Sequence, residues 1–242
     1  MARRRFFVDA VRRGHAEIAG EDARHLTRVL RVEPGQKFEI SDNRDVYLAE
    51  VETARKDLVS FAIVERMEAG AATVQTALFA SLIKFERFEW LIEKATELGV
   101  AQLTPVQAER SEKGLERAAR KRLDRWNRIA REASEQSRRA RLPELCAPLA
   151  LSEVLHAAAD YPYLLDEGEA YPVLSAFPAL RRSEDRVALL VGPEGGWTDR
   201  ERAEITQAGW KAVSLGSGIL RAETAAVAAL AIVHAAWEAE PQ

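Results

Sequence analysis

The stretch LLVGPEGGWTDRERAEI, residues 189–205, combines an apolar run, a glycine-rich turn and the start of a helix. An apolar run bounded by turn residues is typical of a strand buried in a parallel sheet. Thr198, with Glu201 three residues later, has the spacing of a capping box and predicts a helix that begins there. A strand followed directly by a helix is the repeating unit of α/β folds, so this stretch sets the predicted fold class.

The same alternation runs through the chain from residue 73 onward. It predicts a doubly wound parallel sheet covered by helices in a domain spanning residues 73–242. The predicted strands are 73–82, 101–106, 161–167, 186–192 and 211–216, and the predicted helices are 85–99, 112–140, 171–180, 198–208 and 222–239.

The first 70 residues have a different pattern. Short runs rich in β-branched and aromatic residues, separated by turn residues, predict a small β domain at 1–70. Its strands are expected near 4–10, 37–42, 46–54 and 58–66, with one helix near 20–32. The small residues at 67–72 predict a linker between the two domains.

Composition excludes several classes of function. The single cysteine allows no intrachain disulfide and no thiolate metal cluster, and the four histidines do not have metal-ligand spacing. We therefore expect no metal. The chain has no apolar run of the length needed for a signal peptide or a membrane span, so a cytoplasmic protein without a membrane partner is predicted.

Positive charge is concentrated in two segments although the net charge is −3. Residues 1–31 carry eight arginines and four acidic residues, and residues 110–142 carry twelve basic and five acidic residues. Such asymmetry favours a face that binds a polyanion. Solvated helix surfaces are the alternative.

Three predicted strands of the second domain end in unusual sequences. These are LLDEGE at 164–169, LVGPEGGW at 190–197 and SLGSGILRAET at 214–224. The carboxyl ends of parallel strands meet at one edge of a sheet, where ligands bind in doubly wound folds. The turn at 192–197 lacks the Lys of a Walker loop, Trp197 would crowd a phosphate, and 216–221 does not complete a dinucleotide fingerprint. A tight turn with a helix cap, and no ligand, remains the alternative.

These motifs resemble a known family. GPEGGWTDRE (192–201) and LGSGILRAETAAVAAL (215–230) are similar to SPOUT methyltransferases, and more narrowly to bacterial 16S ribosomal RNA uridine N3-methyltransferases. HLTRVLRVEPGQ (25–36), KATELGVAQLTPVQAERSE (94–112) and REASEQSRRARLPEL (131–145) resemble further segments of that family. The resemblance implies a PUA-like RNA-binding domain, a trefoil-knotted α/β domain, a homodimer and S-adenosylmethionine as cofactor. One departure is Gly218, where the family usually has Arg.

The resemblance also implies a set of site residues. Arg221 is expected to stabilise the uridine anion that develops during transfer to N3. Glu223 is expected to orient Arg221 or to cap the last helix. The cofactor is expected to contact Leu165, Gly192, Glu194, Gly195, Gly196, Leu215, Gly216, Ile219, Leu220 and Thr224.

The expected partner is 16S ribosomal RNA within the 30S subunit, and no DNA. Its phosphates would be neutralised by Arg3, Arg4, Arg28, Arg31, Arg110, Arg138, Arg139 and Arg141. Two alternatives remain open at this point. One is a SPOUT methyltransferase of other specificity, acting on a ribose 2′-hydroxyl or on guanine. The other is a non-catalytic ribosome assembly factor.

Overall fold

The computed structural model describes residues 4–68, 73–168 and 170–239, and the chain divides into two compact units. The first unit is Met1–Ala71 together with Arg131–Leu142. The second unit is Ala72–Ala130 together with Pro143–Gln242. Arg3 and most of the predicted linker lie outside the described residues.

The described residues of the first unit before Ala71 form a sheet of mainly antiparallel strands and one helix. Its elements are β1 (Arg5–Phe7), β2 (His15–Ala19), α1 (Gly20–Arg28), β3 (Lys37–Ser41), β4 (Val46–Arg55) and β5 (Leu58–Met67). Among the described residues the strand order is β1-β3-β4-β5-β2, in which only β1 and β3 run parallel. The predicted small β domain is confirmed. The prediction lacks strand β2. Only two of its side chains, Ala16 and Ile18, are apolar and face inward, so its sequence pattern is weak.

The segment Arg131–Leu142 is held in the first unit by hydrogen bonds between residues that are far apart in sequence. The Arg131 guanidinium donates to the Phe7 carbonyl oxygen at 2.6 Å, and the Ser41 hydroxyl donates to the Ala140 carbonyl at 2.6 Å. The Leu142 N–H donates to Asn43 Oδ1 at 2.7 Å, and Arg5 donates to the Arg138 carbonyl. The predicted boundaries at 1–70 and 73–242 assign this segment to the other domain.

The second unit alternates strands and helices. Its strands are β6 (Gln75–Ser81), β7 (Gln102–Gln107), β8 (Glu144–Leu145), β9 (Leu149–Ala150), β10 (Tyr161–Leu165), β11 (Tyr171–Pro172), β12 (Arg186–Val191) and β13 (Lys211–Ser214). Its helices are α2 (Phe85–Glu97), α3 (Leu115–Arg120), α4 (Leu123–Gln136, whose last residues count with the first unit), α5 (Leu151–Val154), α6 (Val173–Ala176), α7 (Asp199–Gln207) and α8 (Ala222–Glu238).

The strands of the second unit form a parallel sheet with the order β11-β13-β10-β12-β6-β7-β8, and β9 pairs with β7. Strand β12 shows why the sheet is buried on both faces. Its residues Val187, Leu189 and Val191 pack in one apolar cluster, while Ala188 and Leu190 pack in another. Successive side chains of a strand point to opposite faces, so an unbroken apolar run fills two cores. The predicted α/β class with a parallel sheet is confirmed.

The predicted helix at 112–140 is wrong in its extent, because the chain forms α3 and α4 with a turn at Lys121–Arg122 between them. The apolar spacing does not reveal the break, because one continuous helix would bury the same positions: Ala119, Trp126, Ala130 and Ala133. At the other end, Arg138 adopts a left-handed conformation with φ of 56°. Such a residue terminates a helix, and α4 therefore ends at Gln136.

The predicted helix at 171–180 is also wrong. Tyr171 and Pro172 pair with β13, and only the single turn of α6 follows. Pro178 disfavours helical conformation at the residue before it, and Phe177 is extended with φ of −69° and ψ of 148°.

The predicted capping box of α7 is confirmed, and a glycine ends α2. Gly99 follows α2 in a left-handed conformation with φ of 98°, as a C-terminal glycine does. Thr198 and Glu201 form the capping box of α7, since each side chain accepts a hydrogen bond from the other residue's backbone N–H, at 3.2 and 2.9 Å. In the described ranges, none of the helices has the length and apolar character needed to cross a membrane.

Candidate functional site

The three chemically distinctive loops leave the sheet at neighbouring positions. Strand β10 lies between β12 and β13, and its last residue, Leu165, is in register with Val191 on one side and Val213 on the other. The loops that follow these residues therefore start at the same level of the same edge, as the sequence predicts.

These loops surround a cavity of about 390 Å³, which lies within the volume range of small-molecule and cofactor sites. Most of the predicted site residues line it: Leu165, Gly192, Glu194, Gly196, Leu215, Gly216, Ile219, Leu220 and Arg221. The lining does not include Gly195, Glu223 or Thr224. Thr224 is exposed on the first turn of α8, and Glu223 is buried beside the cavity.

The turn at 192–197 requires glycine because of a close approach by Trp197. A Cβ atom added at Gly192 would lie 2.9 Å from Nε1 of the Trp197 ring. Gly196 adopts a left-handed conformation with φ of 67°, and its N–H donates to the Pro193 carbonyl at 2.8 Å. The two glycines therefore present bare backbone on this wall of the cavity.

The Trp197 side chain is buried against Gly192, at the base of the cavity that the residue helps to line. From the sequence, the ring is expected to crowd a phosphate at the turn, whereas the residue is only 2% exposed and packs with Leu164, Leu190 and Ile205 in a core cluster. The expected obstruction is wrong, because the apolar ring is buried beneath the turn.

Arg110 supports the same turn. Its guanidinium donates to the carbonyl oxygens of Gly195 at 2.8 Å and Trp197 at 3.4 Å. A Cβ atom at Gly195 would lie 3.2 Å from the Arg110 Cβ, so glycine permits this close contact. The residue expected to bind RNA phosphate thus also holds the loop in place.

The loop between β13 and α8 forms the opposite wall. Gly216 has φ of 131°, and its N–H donates to the Ser214 hydroxyl at 3.2 Å. Ile219 is 84% exposed and Leu220 is also exposed, and both line the cavity. Gly218 lines the cavity, and a Cβ atom there would meet no atom within 4 Å.

Asp166 and Arg202 form an ion pair that lines the cavity and that the sequence analysis does not identify. Arg202 donates to both carboxylate oxygens of Asp166, at 2.7 and 3.2 Å. Burial alone would raise the pKa of Asp166, but the hydrogen bonds from Arg202 and from the Gly168 N–H outweigh it, so the pKa lies below its usual value. The ionised pair fixes the loop after β10 to α7.

Arg87 is the second cavity residue that the sequence analysis does not identify. It lies in the first turn of α2, and its guanidinium donates to the Glu194 carboxylate. Its Nε lies 3.8 Å from Oε1 of Glu223. Only the order of the strands, which places β6 beside β12, reveals that α2 begins next to the loop of Glu194.

Arg221 has no such partner among the described residues. Its side chain is exposed at the cavity, and the structure shows neither an ion pair nor a hydrogen bond to it from the described parts of the chain. The nearby carboxylate of Glu223 pairs with Arg87. Arg221 is therefore available to an anionic group.

The arginines expected to bind RNA differ in exposure. Arg4, Arg28, Arg31, Arg138 and Arg141 are exposed in the first unit. Arg139 is partly buried, its Nε donates to the Arg141 carbonyl at 3.1 Å, and burial lowers its pKa to about 10. Across the described ranges there is no cluster of three or more His, Cys, Asp or Glu side chains that could hold a metal ion.

Sequence and structure comparisons identify related proteins. The profile of an RNA methyltransferase domain family matches residues 71–234, and that of an RNA methyltransferase PUA domain matches residues 18–64. A ribosomal RNA small subunit methyltransferase E from Bacillus subtilis is 31% identical, with 95% of each chain covered.

Two solved structures resemble the whole chain, each with a TM-score of 0.88, 28% identity and 98% coverage of both chains. One is a putative methyltransferase from Legionella pneumophila in complex with the bound cofactor SAM. The other is a ribosomal RNA small subunit methyltransferase E from Neisseria gonorrhoeae bound to S-adenosyl methionine.

Proposed function

The chain belongs to the family of RNA methyltransferases that includes ribosomal RNA small subunit methyltransferase E, and from this relationship we propose its reaction. It transfers a methyl group from S-adenosylmethionine to N3 of a uridine in 16S ribosomal RNA. The observation that carries the proposal is the convergence of three loops, from β10, β12 and β13, on one cavity. Two relatives of the same fold have S-adenosylmethionine bound.

The residues around the cavity fit this cofactor. S-adenosylmethionine joins an adenine and a ribose to a tail that carries a sulfonium, an ammonium and a carboxylate. Aliphatic side chains of Leu165, Ile219 and Leu220 suit the base, and the glycine turn offers polar backbone groups at close range. Carboxylates and guanidinium groups both line the cavity, which suits a tail of mixed charge.

Arg221 would act on the target base. The bound cofactor supplies a methyl group activated by the positive sulfonium. Uridine N3 carries a proton and becomes nucleophilic only as negative charge develops on the base. As the N3–CH3 bond forms, the S–CH3 bond breaks to leave S-adenosylhomocysteine, and the N3 proton passes to solvent water. A fixed cation near O2 or O4 stabilises that charge without reorganising during the reaction. Arg221 is exposed at the cavity and carries no ion pair within the described residues, so its guanidinium is free for this purpose.

The RNA would be bound through the exposed arginines of the first unit. Arg4, Arg28, Arg31, Arg138 and Arg141 can neutralise phosphates of a folded RNA. The match of residues 18–64 to an RNA methyltransferase PUA domain supports this role. We further propose that the partner is the 30S subunit.

The second unit would be a SPOUT domain with a trefoil knot and would form a homodimer. The similarity to methyltransferase structures over nearly the whole chain supports the knot. Helix α8 supports the dimer, because it is apolar around most of its circumference and Val227 and Ile232 are only partly buried in the single chain.

Methyl transfer from isotopically labelled S-adenosylmethionine to 30S subunits lacking the modification tests the reaction. Digestion of the RNA to nucleosides should yield labelled N3-methyluridine. A labelled 2′-O-methylated nucleoside or methylguanine would replace the proposed specificity with another. Cofactor binding without any labelled nucleoside would show a non-catalytic assembly factor.

Arg221→Ala tests the role of the cation in the same assay. We expect a loss of about 10²-fold or more in the methyl-transfer rate, the effect of removing one stabilising group from a transition state. Cofactor affinity, measured by calorimetry, should change far less. Methylation at the wild-type rate would eliminate Arg221 from the mechanism.

A further inference from the structure

Arg87 joins three separate elements at the edge of the cavity. It belongs to the first turn of α2, its Nη1 donates to Glu194 in the loop after β12, and its Nε lies 3.8 Å from Glu223 in the first turn of α8. No other arginine or lysine in the described parts of the chain forms an ion pair with either carboxylate.

Glu223 depends on this contact. Its side chain is only 9% exposed, and its Oε2 has no hydrogen-bond partner in the described structure. A buried carboxylate is costly unless a cation or hydrogen bonds compensate it. Arg87 provides the positive charge, and the N-terminus of α8 adds a weaker favourable field.

We propose that Arg87 is a positioning residue that fixes the two loop walls of the cofactor cavity relative to each other, an inference that rests on the proposed function. It acts through Glu194 on the glycine turn and through Glu223 on the start of α8. Arg221 is two residues from Glu223, so the same contact sets where α8 begins beside that cation.

The side chain must be arginine for this arrangement. A guanidinium presents several N–H groups in a rigid planar fork and can serve two carboxylates from different directions. A lysine ammonium has the same charge but is a point charge on a flexible stem. Arg87→Lys should therefore keep the electrostatic compensation and lose the geometric link.

The experiment measures S-adenosylmethionine affinity by calorimetry and thermal stability for four variants of the full chain. These are Arg87→Ala, Arg87→Lys, Glu223→Gln and the double variant Arg87→Ala with Glu223→Gln. Lys94→Ala is the matched control, because Lys94 lies on the same helix, pairs with Glu93 and Glu97, and does not line the cavity.

Arg87→Ala should weaken cofactor affinity by about fivefold to tenfold, because the lost pair with Glu194 is partly exposed and Glu223 is left without its cation. Arg87→Lys should lie between this variant and the wild type, and Lys94→Ala should match the wild type. The double variant should recover melting temperature relative to Arg87→Ala, because glutamine removes the unpaired buried charge. It should not recover affinity, whereas a purely structural role would restore both together.

Wild-type affinity in Arg87→Lys and Arg87→Ala would overturn the inference and leave the proposed function intact. If Arg87→Ala does not fold, Arg87→Lys alone decides the question by the same comparison. Recovery of cofactor affinity in the double variant would also overturn the inference that Arg87 positions the two loops. If the wild type neither binds S-adenosylmethionine nor methylates 30S subunits, the proposed function fails and the inference falls with it.

Discussion

Gly192 has no room for a larger side chain, since a Cβ atom there would lie 2.9 Å from the buried Trp197 ring. Gly192→Ala forces the ring or the turn to move, and overpacking of this kind costs about 1–3 kcal/mol in the free energy of unfolding. The turn forms one wall of the cavity, so we expect S-adenosylmethionine affinity to fall by about tenfold or more. Urea unfolding and calorimetry measure the two effects.

Gly218→Ala is the matched comparison for stability. A Cβ atom at Gly218 meets nothing within 4 Å, so the free energy of unfolding should stay within about 0.5 kcal/mol of the wild type. Equal destabilisation by the two alanines would show that the contact with Trp197 does not restrict residue 192.

The ion pair of Asp166 and Arg202 predicts a stability difference that depends on pH. The pKa of folded Asp166 lies below its usual value of about 3.9, so its stabilising contribution is fully present above that value and lost as the pH falls through the folded pKa. Asp166→Asn should cost about 1–3 kcal/mol between pH 5 and 7, and less below about pH 4. Urea unfolding across this range provides the measurement.

Asp199→Asn removes another carboxylate near Arg202, 3.7 Å away on the exposed first turn of α7. Because exposed ion pairs contribute little, this variant should differ from the wild type by less than about 1 kcal/mol at every pH. If Asp166→Asn and Asp199→Asn showed the same dependence of stability on pH, the pH-dependent contribution would not belong to Asp166.

The positions of the three loops could be predicted from the sequence, because strand, turn and helix signals there are local, whereas the individual residues expected to contact the cofactor came from the resemblance to a known family. Arg87 and the pair of Asp166 with Arg202 could not be predicted. Arg87 reaches the cavity only because β6 lies beside β12 in the sheet, and strand order is not encoded in local periodicity. The inward position of Trp197 likewise depends on the core that receives it.

At the level of elements, α7 begins with a capping box that also fixes the glycine turn before it. Thr198→Ala should reduce the free energy of unfolding by about 1 kcal/mol, because the Glu201 backbone N–H loses its acceptor. Thr198→Ser keeps a hydroxyl at the same position and should stay within a few tenths of a kcal/mol. Chemical denaturation of both variants checks this, and equal losses would assign the effect to the missing methyl group.

Helices and strands with strong periodicity were predictable, whereas their ends and interruptions were less so. Helices α2, α7 and α8 match their predicted ranges closely, since α2 has an apolar stripe, α7 has a capping box, and α8 is apolar around most of its circumference. The break between α3 and α4 leaves the apolar phase unchanged, so the pattern cannot detect it. Strand β11 has only two residues, fewer than a pattern of period two can identify.

At the level of the whole molecule, exposed arginines of the first unit should make RNA binding strongly salt-dependent. Each phosphate contact contributes roughly 0.7–0.9 to the magnitude of the slope of log affinity against log salt concentration. Replacing Arg138 and Arg141 by glutamine should therefore reduce the magnitude of this slope by up to about two. Filter binding of small-subunit ribosomal RNA at several salt concentrations measures the slope.

The control has the same change of net charge in the same unit. Arg24 pairs with Asp57, and Arg66 pairs with Asp45, so replacing both by glutamine removes cations that are already compensated. Their loss should leave the slope nearly unchanged. Equal reductions in the two double variants would mean that overall charge, and not a defined contact surface, governs the salt dependence.

The hydrogen bonds that hold Arg131–Leu142 in the first unit have a consequence for how this protein can be divided or recombined. A fragment that ends near residue 70 would leave Ser41 and Asn43 without the backbone groups to which they bond. The first unit is not contiguous in the chain, so exchange between relatives keeps the contact of the Arg131 side chain with Phe7 as a native pair only if residues 131–142 come from the same parent as residues 1–70.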